Sequence, residues 1–573
     1  MYILGVAGRL LRILLPLAVS LTLYLYLYPA FHGCVFPVQD ASTTTAFAET
    51  LQQHRPLRHA LDASVLPSVP FRLLVLADPQ LEGDSSLPKP EDAFLRKLER
   101  RWATIRATES HDLNSQILEH VRGILLEDFP TTLQAIRKQL DLLGNDYYLG
   151  HIYRSLHWWT KPSHVTVLGD LIGSQWVTDE EFEWRGWRYW NRVFASGRRI
   201  SDNITSSSHE KEEHVFETRD VSWTRNIINI AGNHDVGYAG EISQGRMDRF
   251  ERVFGKANWD VRFRYPDGDI PRDVTTTTPS LHLIVLNSLI LDSPALSDEL
   301  QSETFGFINR LISDRLRPVE DSSSFTLLLT HLPLHKKEGV CVDAPYFDYW
   351  GNDDGGGVYK PHGLREQNHL STEASQHGTL ETIFGMTGNI DAPAQGKGRH
   401  GIILTGHDHE GCDVWHYIPS NTTWSSSTEN VEDRKAAWDA VRWDQVNKNS
   451  SYTGVREITL RSMMGDYGGN AGLLSAWYDF STEEWKYDIS RCGLNVKVWW
   501  AVHVVDLLAI AFSLLWMVDL ITRALFPAGR KHVQHPSLVQ KTQADHVASS
   551  IATTSTPTSK FNRETLKADM KPK

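Results

Sequence analysis

Six short runs of Leu, Ile, Val and Phe punctuate the chain, and each stops at a polar group. Leu73 to Ala77 runs into Asp78-Pro79-Gln80, Val165 to Leu168 into Gly169-Asp170, and Ile227 to Ala231 into Gly232-Asn233-His234-Asp235. Leu283 to Leu286 precedes Asn287-Ser288, Phe325 to Leu329 precedes Thr330-His331, and Ile402 to Leu404 precedes Gly406-His407-Asp408-His409. Unbroken apolar runs of this length predict strands buried on both faces, as in parallel sheets covered by helices. Ligand groups in such folds gather at the carboxyl ends of the strands. The pattern therefore predicts an α/β domain whose six strand ends converge on one site.

Between the first two runs the period changes. From Glu91 to about Trp159 apolar residues recur every three or four positions, as in Ile117, Leu118, Val121 and Leu125, then Leu133, Ile136 and Leu140. This predicts helices forming a right-handed crossover between parallel strands. Trp184, Trp187 and Trp190 are spaced three apart, and bulky aromatics so placed are expected in the core. Residues 336–400, rich in Gly, Asp and His, form a long insertion between the fifth and sixth strands, the kind of loop that selects a substrate.

Both ends carry apolar segments long enough for a bilayer. Ile13 to Phe31, preceded by Arg9 and Arg12, predicts a signal anchor with a cytosolic amino end. A cleaved signal peptide is the alternative, but the run is long and no small-x-small cleavage site follows near Ala30. Val498 to Leu520, followed by Arg523, Arg530 and Lys531, predicts a second span with a cytosolic tail. A buried core helix is the alternative there, because His503 and Asp506 are costly in lipid. These two lie on one helical face, and either a functional role or a position near the interface accounts for them.

The expected organisation is thus residues 1–31 as amino terminus and anchor, 32–69 as linker, 70–497 as a lumenal domain with insertions, 498–522 as a second transmembrane helix, and 523–573 as a disordered cytosolic tail. Glycosylation triplets at Asn203, Asn421 and Asn449 agree with a lumenal domain. So does the placement of all four cysteines, where disulfides persist. Four cysteines allow three connectivities. Cys341 and Cys412 each follow a ligand-bearing strand end by a short loop and are the pair expected to meet. A net charge of −12 over 573 residues, with no basic stripe between the motifs, excludes a nucleic-acid-binding surface.

Asp78, Asp170, Asn233, His331, His407 and His409 supply the oxygen and imidazole donors that two divalent cations about 3.5–4 Å apart need to clamp a phosphate. Singly, Asp170 reads as a helix cap, His331 as a core histidine and Asn233-His234 as a turn. Their joint occurrence, each at a strand end, favours a metal site. The series Asp-x-Gln, Gly-Asp, Gly-Asn-His-Asp, His, Gly-His-x-His resembles the calcineurin-like metallophosphoesterase superfamily, whose fold is a sandwich of two β-sheets flanked by helices. The resemblance implies that Asp78 and His409 bind one metal, that Asp170 bridges, and that Asn233, His331 and His407 bind the second. It also implies that His234 faces the phosphate and protonates the leaving oxygen. Gln80 stands where the superfamily usually has histidine; its amide oxygen is a harder donor, favouring Mn²⁺ or Mg²⁺ over Zn²⁺.

Further segments are similar to the endoplasmic-reticulum membrane phosphoesterases that remodel glycosylphosphatidylinositol (GPI) anchors: Gly232 to Tyr238, Arg249 to Phe254, Asn287-Ser288, Ser371 to Gln376, and the Cys341 and Cys412 positions. Arg461 to Leu474 is similar to the fungal branch. This resemblance implies hydrolysis of the phosphodiester joining ethanolamine to an anchor mannose, usually with Mn²⁺. It further implies GPI glycolipid or GPI-anchored proteins as substrate, a role in cargo export, and residence in the reticulum, with the Golgi as alternative. Two other functions fit the same residues: a broader lumenal phosphodiesterase on nucleotides or lipid head groups, and a non-catalytic escort of GPI-anchored cargo.

Overall fold

The computed structural model describes residues 2–37, 50, 54, 70–83, 93–107, 113–206, 215–266, 270, 277–315, 317–354, 357–389, 391–419, 438–446 and 454–526. The six apolar runs form the strands Phe71–Leu76, His164–Val167, Asn226–Asn229, Ser280–Val285, Ser324–Leu329 and Gly401–Thr405. The first three lie parallel in a six-stranded sheet, whose antiparallel edge is the hairpin Asn470–Asp479 and Glu484–Gly493. The last three lie parallel in an eight-stranded sheet and are joined there by Gly454–Thr459. Side chains alternate between two layers. Leu73 and Val75 enter a cluster shared with Leu283, Leu327 and Ile402 between the sheets, while Leu74, Leu76, Leu328 and Ile403 pack toward the helices. Burial on both faces is why these strands carry no polar alternation. The architecture is mixed α/β, with two large mixed sheets flanked by helices.

The crossover is helical, through Phe94–Ala107, Leu113–Gly123 and the long helix Phe129–Thr160. Its two ends differ. Tyr148, Ile152, Tyr153 and Leu156 are fully buried against the sheet, whereas Leu118, Leu125, Leu133 and Leu140 are each more than half exposed. The tryptophan stripe also departs from expectation. Trp184 and Trp187 are 48% and 47% exposed, stack with ring centroids 5.0 Å apart, and are faced by the Arg192 guanidinium. Only Trp190 packs against the core, donating from Nε1 to the Val253 carbonyl at 3.0 Å. Stacking and a cation over the rings cover the outer pair in place of the core.

Among the described residues two helices are long and apolar enough to cross a membrane, within Gly8–Phe31 and over Val496–Leu525. The Thr22 hydroxyl lies 3.0 Å from both carboxylate oxygens of Asp506, and His503 Nδ1 lies 2.8 Å from the Trp499 carbonyl, so both polar residues have partners. A disulfide between Cys34 and Cys492 ties the end of the first helix to the strand that precedes the second. Cys341 is joined to Cys412 beside Val414 and Ala440. Asn203 is exposed in the short helix Asp202–Thr205. Asn421, Asn449, most of the linker and the tail after residue 526 lie outside the described residues.

A buried ion pair braces the eight-stranded sheet. Lys336 Nζ lies 3.2 Å from Glu457 Oε1, His416 Nε2 approaches Oε2 at 2.5 Å, and both lysine and glutamate are essentially inaccessible. Burial alone would raise the Glu457 carboxyl, but Lys336 and His416 pull it down to about 2. Its stabilising contribution is therefore complete above the unfolded value of about 4.3 and fades as pH falls through about 2. Lys336→Met leaves the carboxylate without its cation and is expected to cost about 3–5 kcal/mol at neutral pH. Thermal unfolding of the full chain in detergent measures this, and the deficit should shrink in acid as Glu457 takes up a proton.

Candidate metal centre

The strand ends deliver their polar groups through strained backbone. Asp78, Gln80, Asp170 and His407 all have positive φ, between 40° and 72°, which side-chain-bearing residues adopt at a cost of about 1–3 kcal/mol each. Neighbouring glycines permit the close approach of the loops. A Cβ on Gly232 would lie 2.0 Å from the Asp170 amide nitrogen, and one on Gly406 would lie 2.3 Å from the Leu168 carbonyl. The turns are held by main-chain donors: His407 N–H donates to Asp78 Oδ1 at 3.0 Å, and His234 N–H donates to Asp170 Oδ1 at 2.8 Å.

Two donor groups result, and they share Asp170. Asp170, His331 and His407 form one, and Asp78, Asp170 and His409 the other, with the ligand atoms of each within 4.8 Å of one another. Asn233 joins the first, its Oδ1 2.9 Å from both His331 Nε2 and His407 Nδ1. Gln80 lies beside the second but turns its amide NH2 rather than its oxygen to it: Nε2 donates to Asp170 Oδ2 and faces His409 Nε2, each at 3.1 Å. His234 stands at the rim, 37% exposed, with Nε2 3.9 Å from Asp170 Oδ2 and Nδ1 without a hydrogen-bond partner. Asp78, Asp170 and His331 form the closed floor. The open side lies along Gln80, His234 and His409.

The proton positions favour cations here. His331 Nδ1–H donates to the Leu168 carbonyl at 2.8 Å, and His407 Nε2–H donates to the Gln367 carbonyl at 3.1 Å. Each ring's other nitrogen then turns a lone pair toward Asn233 Oδ1. Burial lowers both rings, His407 to about 3, so a second ring proton is disfavoured. In the other group Asp78 Oδ2 is buried without a hydrogen-bond partner, and burial together with the Asp170 charge raises that carboxyl. Around Asn233, lone pairs converging without protons between them fit a bound divalent ion, and the unpartnered Asp78 oxygen fits a second. Gln80→His, which restores an imidazole to this rim, is expected to tighten metal binding on the order of tenfold, measured by titration of metal-stripped protein.

The fourth strand end supplies no ligand. Asn287 Oδ1 accepts from Leu289 N–H, and Ser288 Oγ accepts from Leu332 N–H at 3.0 Å, bracing the backbone beside His331. Conversely, the structure adds residues outside the ligand set. Asp235 accepts N–H bonds from Gly232, Leu171 and Ile172, locking two of the loops together. The Gln367 carbonyl orients His407 from within the 336–400 insertion, which thus reaches the centre. Ser462 Oγ donates to the Asp78 carbonyl, and the Tyr467 ring lies 4.7 Å from His409. Asp235 is the last residue of the Gly-Asn-His-Asp motif, so its place at the site is legible in sequence though not as a ligand; a main-chain carbonyl gives no such signal.

The fold and these paired donor groups suit a metallophosphoesterase. No family model matches the chain. Protein TED1 of Saccharomyces cerevisiae is 33% identical over 466 residues, covering 74% of this chain and 87% of that protein. An uncharacterized protein of Schizosaccharomyces pombe is 27% identical over 394 residues, covering 64% and 78% respectively. Metallophosphoesterase 1 of Cricetulus griseus is 21% identical over 333 residues, covering 55% and 66%. The chain belongs to the family of Protein TED1, with the metallophosphoesterase 1 proteins as more distant relatives.

Proposed function

We propose that the chain is a calcineurin-like phosphodiesterase that removes ethanolamine phosphate from a mannose of GPI anchors at the lumenal face of the endoplasmic-reticulum membrane, supporting export of GPI-anchored cargo. The observation that carries this reading is the proximity of the centre to a membrane helix. Tyr467 packs on His409, and two residues before it Gly465 meets Val496, the first residue of the C-terminal apolar helix. One short loop thus separates the open rim from the apolar helix, which suits a substrate held in a membrane. Met463 to Gly469, within the Arg461–Leu474 segment similar to the fungal branch of the GPI-remodelling enzymes, forms this same loop, and the two disulfides suit an oxidising lumen.

Two divalent ions, with Mn²⁺ favoured by Gln80, would be held by Asp78, Asp170, Asn233, His331, His407 and His409 and supply charge neutralisation and an activated water. The chain's own groups do the rest. Main-chain N–H donors fix Asp78 and Asp170, the Leu168 and Gln367 carbonyls fix the histidine tautomers, and His234 stands on the open side where a leaving oxygen needs a proton. Purified full-length protein with Mn²⁺ is expected to release ethanolamine phosphate from anchors modified on defined mannoses; no release would overturn the proposal. Turnover of nucleotide diesters far above that of anchors would favour a broader phosphodiesterase.

A further inference from the structure

A second site lies away from the metal centre, where the two apolar helices meet the long crossover helix. The crossover helix crosses both. Trp159 Nε1 donates to the Tyr26 carbonyl at 2.6 Å, Tyr148 packs edge-on against Trp499, and Gly144 lies so close to Trp500 that a Cβ would fall 2.2 Å from its ring. Between them is a cavity of about 740 Å³, within the size range of small-molecule sites. Leu23, Leu27, Tyr147, Trp158 and Trp499 form its apolar wall. Leu23 and Trp158, both 57% exposed, form the rim.

The polar lining is sparse and carries one fixed charge. His151 is buried, and burial pushes it down to about 4, so it is neutral at physiological pH. Arg154 also lines the cavity, and its Nη1 donates to the Arg192 carbonyl at 2.9 Å. Among the described residues it has no carboxylate partner. An aromatic and aliphatic wall made partly from membrane-crossing helices, with an unneutralised guanidinium among them, matches a phospholipid: chains in the apolar space and an anionic head at the cation. Aromatic side chains with one apolar and one polar edge are suited to that boundary.

We propose that this cavity holds one anionic phospholipid drawn from the bilayer, with its phosphate at Arg154 and an acyl chain against Leu23, Leu27 and Trp499. The occupant is bound whether or not the metal centre turns over anchors. Full-length protein in detergent micelles doped with a diazirine-bearing phosphatidylinositol tests this by photolabelling and peptide mapping. Label is expected on peptides containing Tyr147 to Trp159 and Trp499 to His503, about fivefold above that from the equivalent phosphatidylcholine, the preference one cation near an anionic head supplies. Arg154→Gln should remove that preference and Arg154→Lys should retain it. Leu27→Trp, which fills the cavity from the first apolar helix, should abolish the label on those peptides. Equal labelling by the two lipids, indifference to Leu27→Trp, or displacement by millimolar inorganic phosphate alone would each overturn the proposal.

Discussion

Asp170→Asn is expected to lower turnover of any phosphodiester by at least about 10³-fold, because it removes the one carboxylate shared by both donor groups. The substitution is nearly isosteric, and an amide oxygen can still accept from His234 N–H, so the turn at Gly169-Asp170 should survive. What changes is charge. In metal-free protein burial works against the Asp170 carboxylate, but His331, His234, His407 and the His234 N–H hold it below the usual carboxylate range, so losing the charge should leave the melting temperature unchanged or somewhat lower. In metal-loaded protein the loss is larger. A ligand present at about 100 times its dissociation constant stabilises the folded state by about 2.7 kcal/mol, and the variant should lose most of that increment. Melting of wild type and variant with and without Mn²⁺, alongside elemental analysis, gives the readout. A variant that keeps its metals and half its turnover would remove Asp170 from the bridging role.

The strands and their polar ends were legible because parallel strands buried on both faces leave an unmistakable apolar run, and the chain must turn immediately afterwards. Asn287-Ser288 shows the limit of that logic. It ends a strand in the same way as Thr330-His331, yet its side chains cap main-chain N–H groups rather than face the centre. Sequence places a polar residue at a strand end without saying which way it points.

Periodicity located the helices at Trp184 and Trp187 and along Leu118 to Leu140, but not what lies against them. Spacing reports that a helical face is apolar, but what covers the face is a tertiary property. In the first case each ring covers the other, with Arg192 above them; in the second, the stripe is only partly covered among the described residues. The Cys34–Cys492 bridge was likewise silent, since 458 residues separate its partners and only the fold brings the two apolar helices together. Gln80 lies between these cases. Its position beside Asp170 and His409 follows from the motif, but the amide's hydrogen-bonding role needed coordinates.

His234→Ala separates chemistry from metal binding. The imidazole belongs to neither donor group and stands on the exposed rim, so its removal should leave metal content and melting temperature close to wild type. Turnover should fall by about 10²–10⁴-fold where the leaving group is a sugar alkoxide, the range that a positioned general acid contributes. The loss should depend on the leaving group. A nitrophenolate departs without protonation, so an aryl phosphodiester should be hydrolysed by the variant with a much smaller deficit than an anchor mannose ester. A general acid produces that divergence; a residue that only positions phosphate would slow both substrates equally. Parallel kcat measurements on the two substrate types distinguish the roles, and equal losses would reassign His234 from proton donor to phosphate ligand. A third pattern, normal export of GPI-anchored cargo in cells carrying only His234→Ala, would place the chain's biological role in binding cargo rather than in hydrolysis.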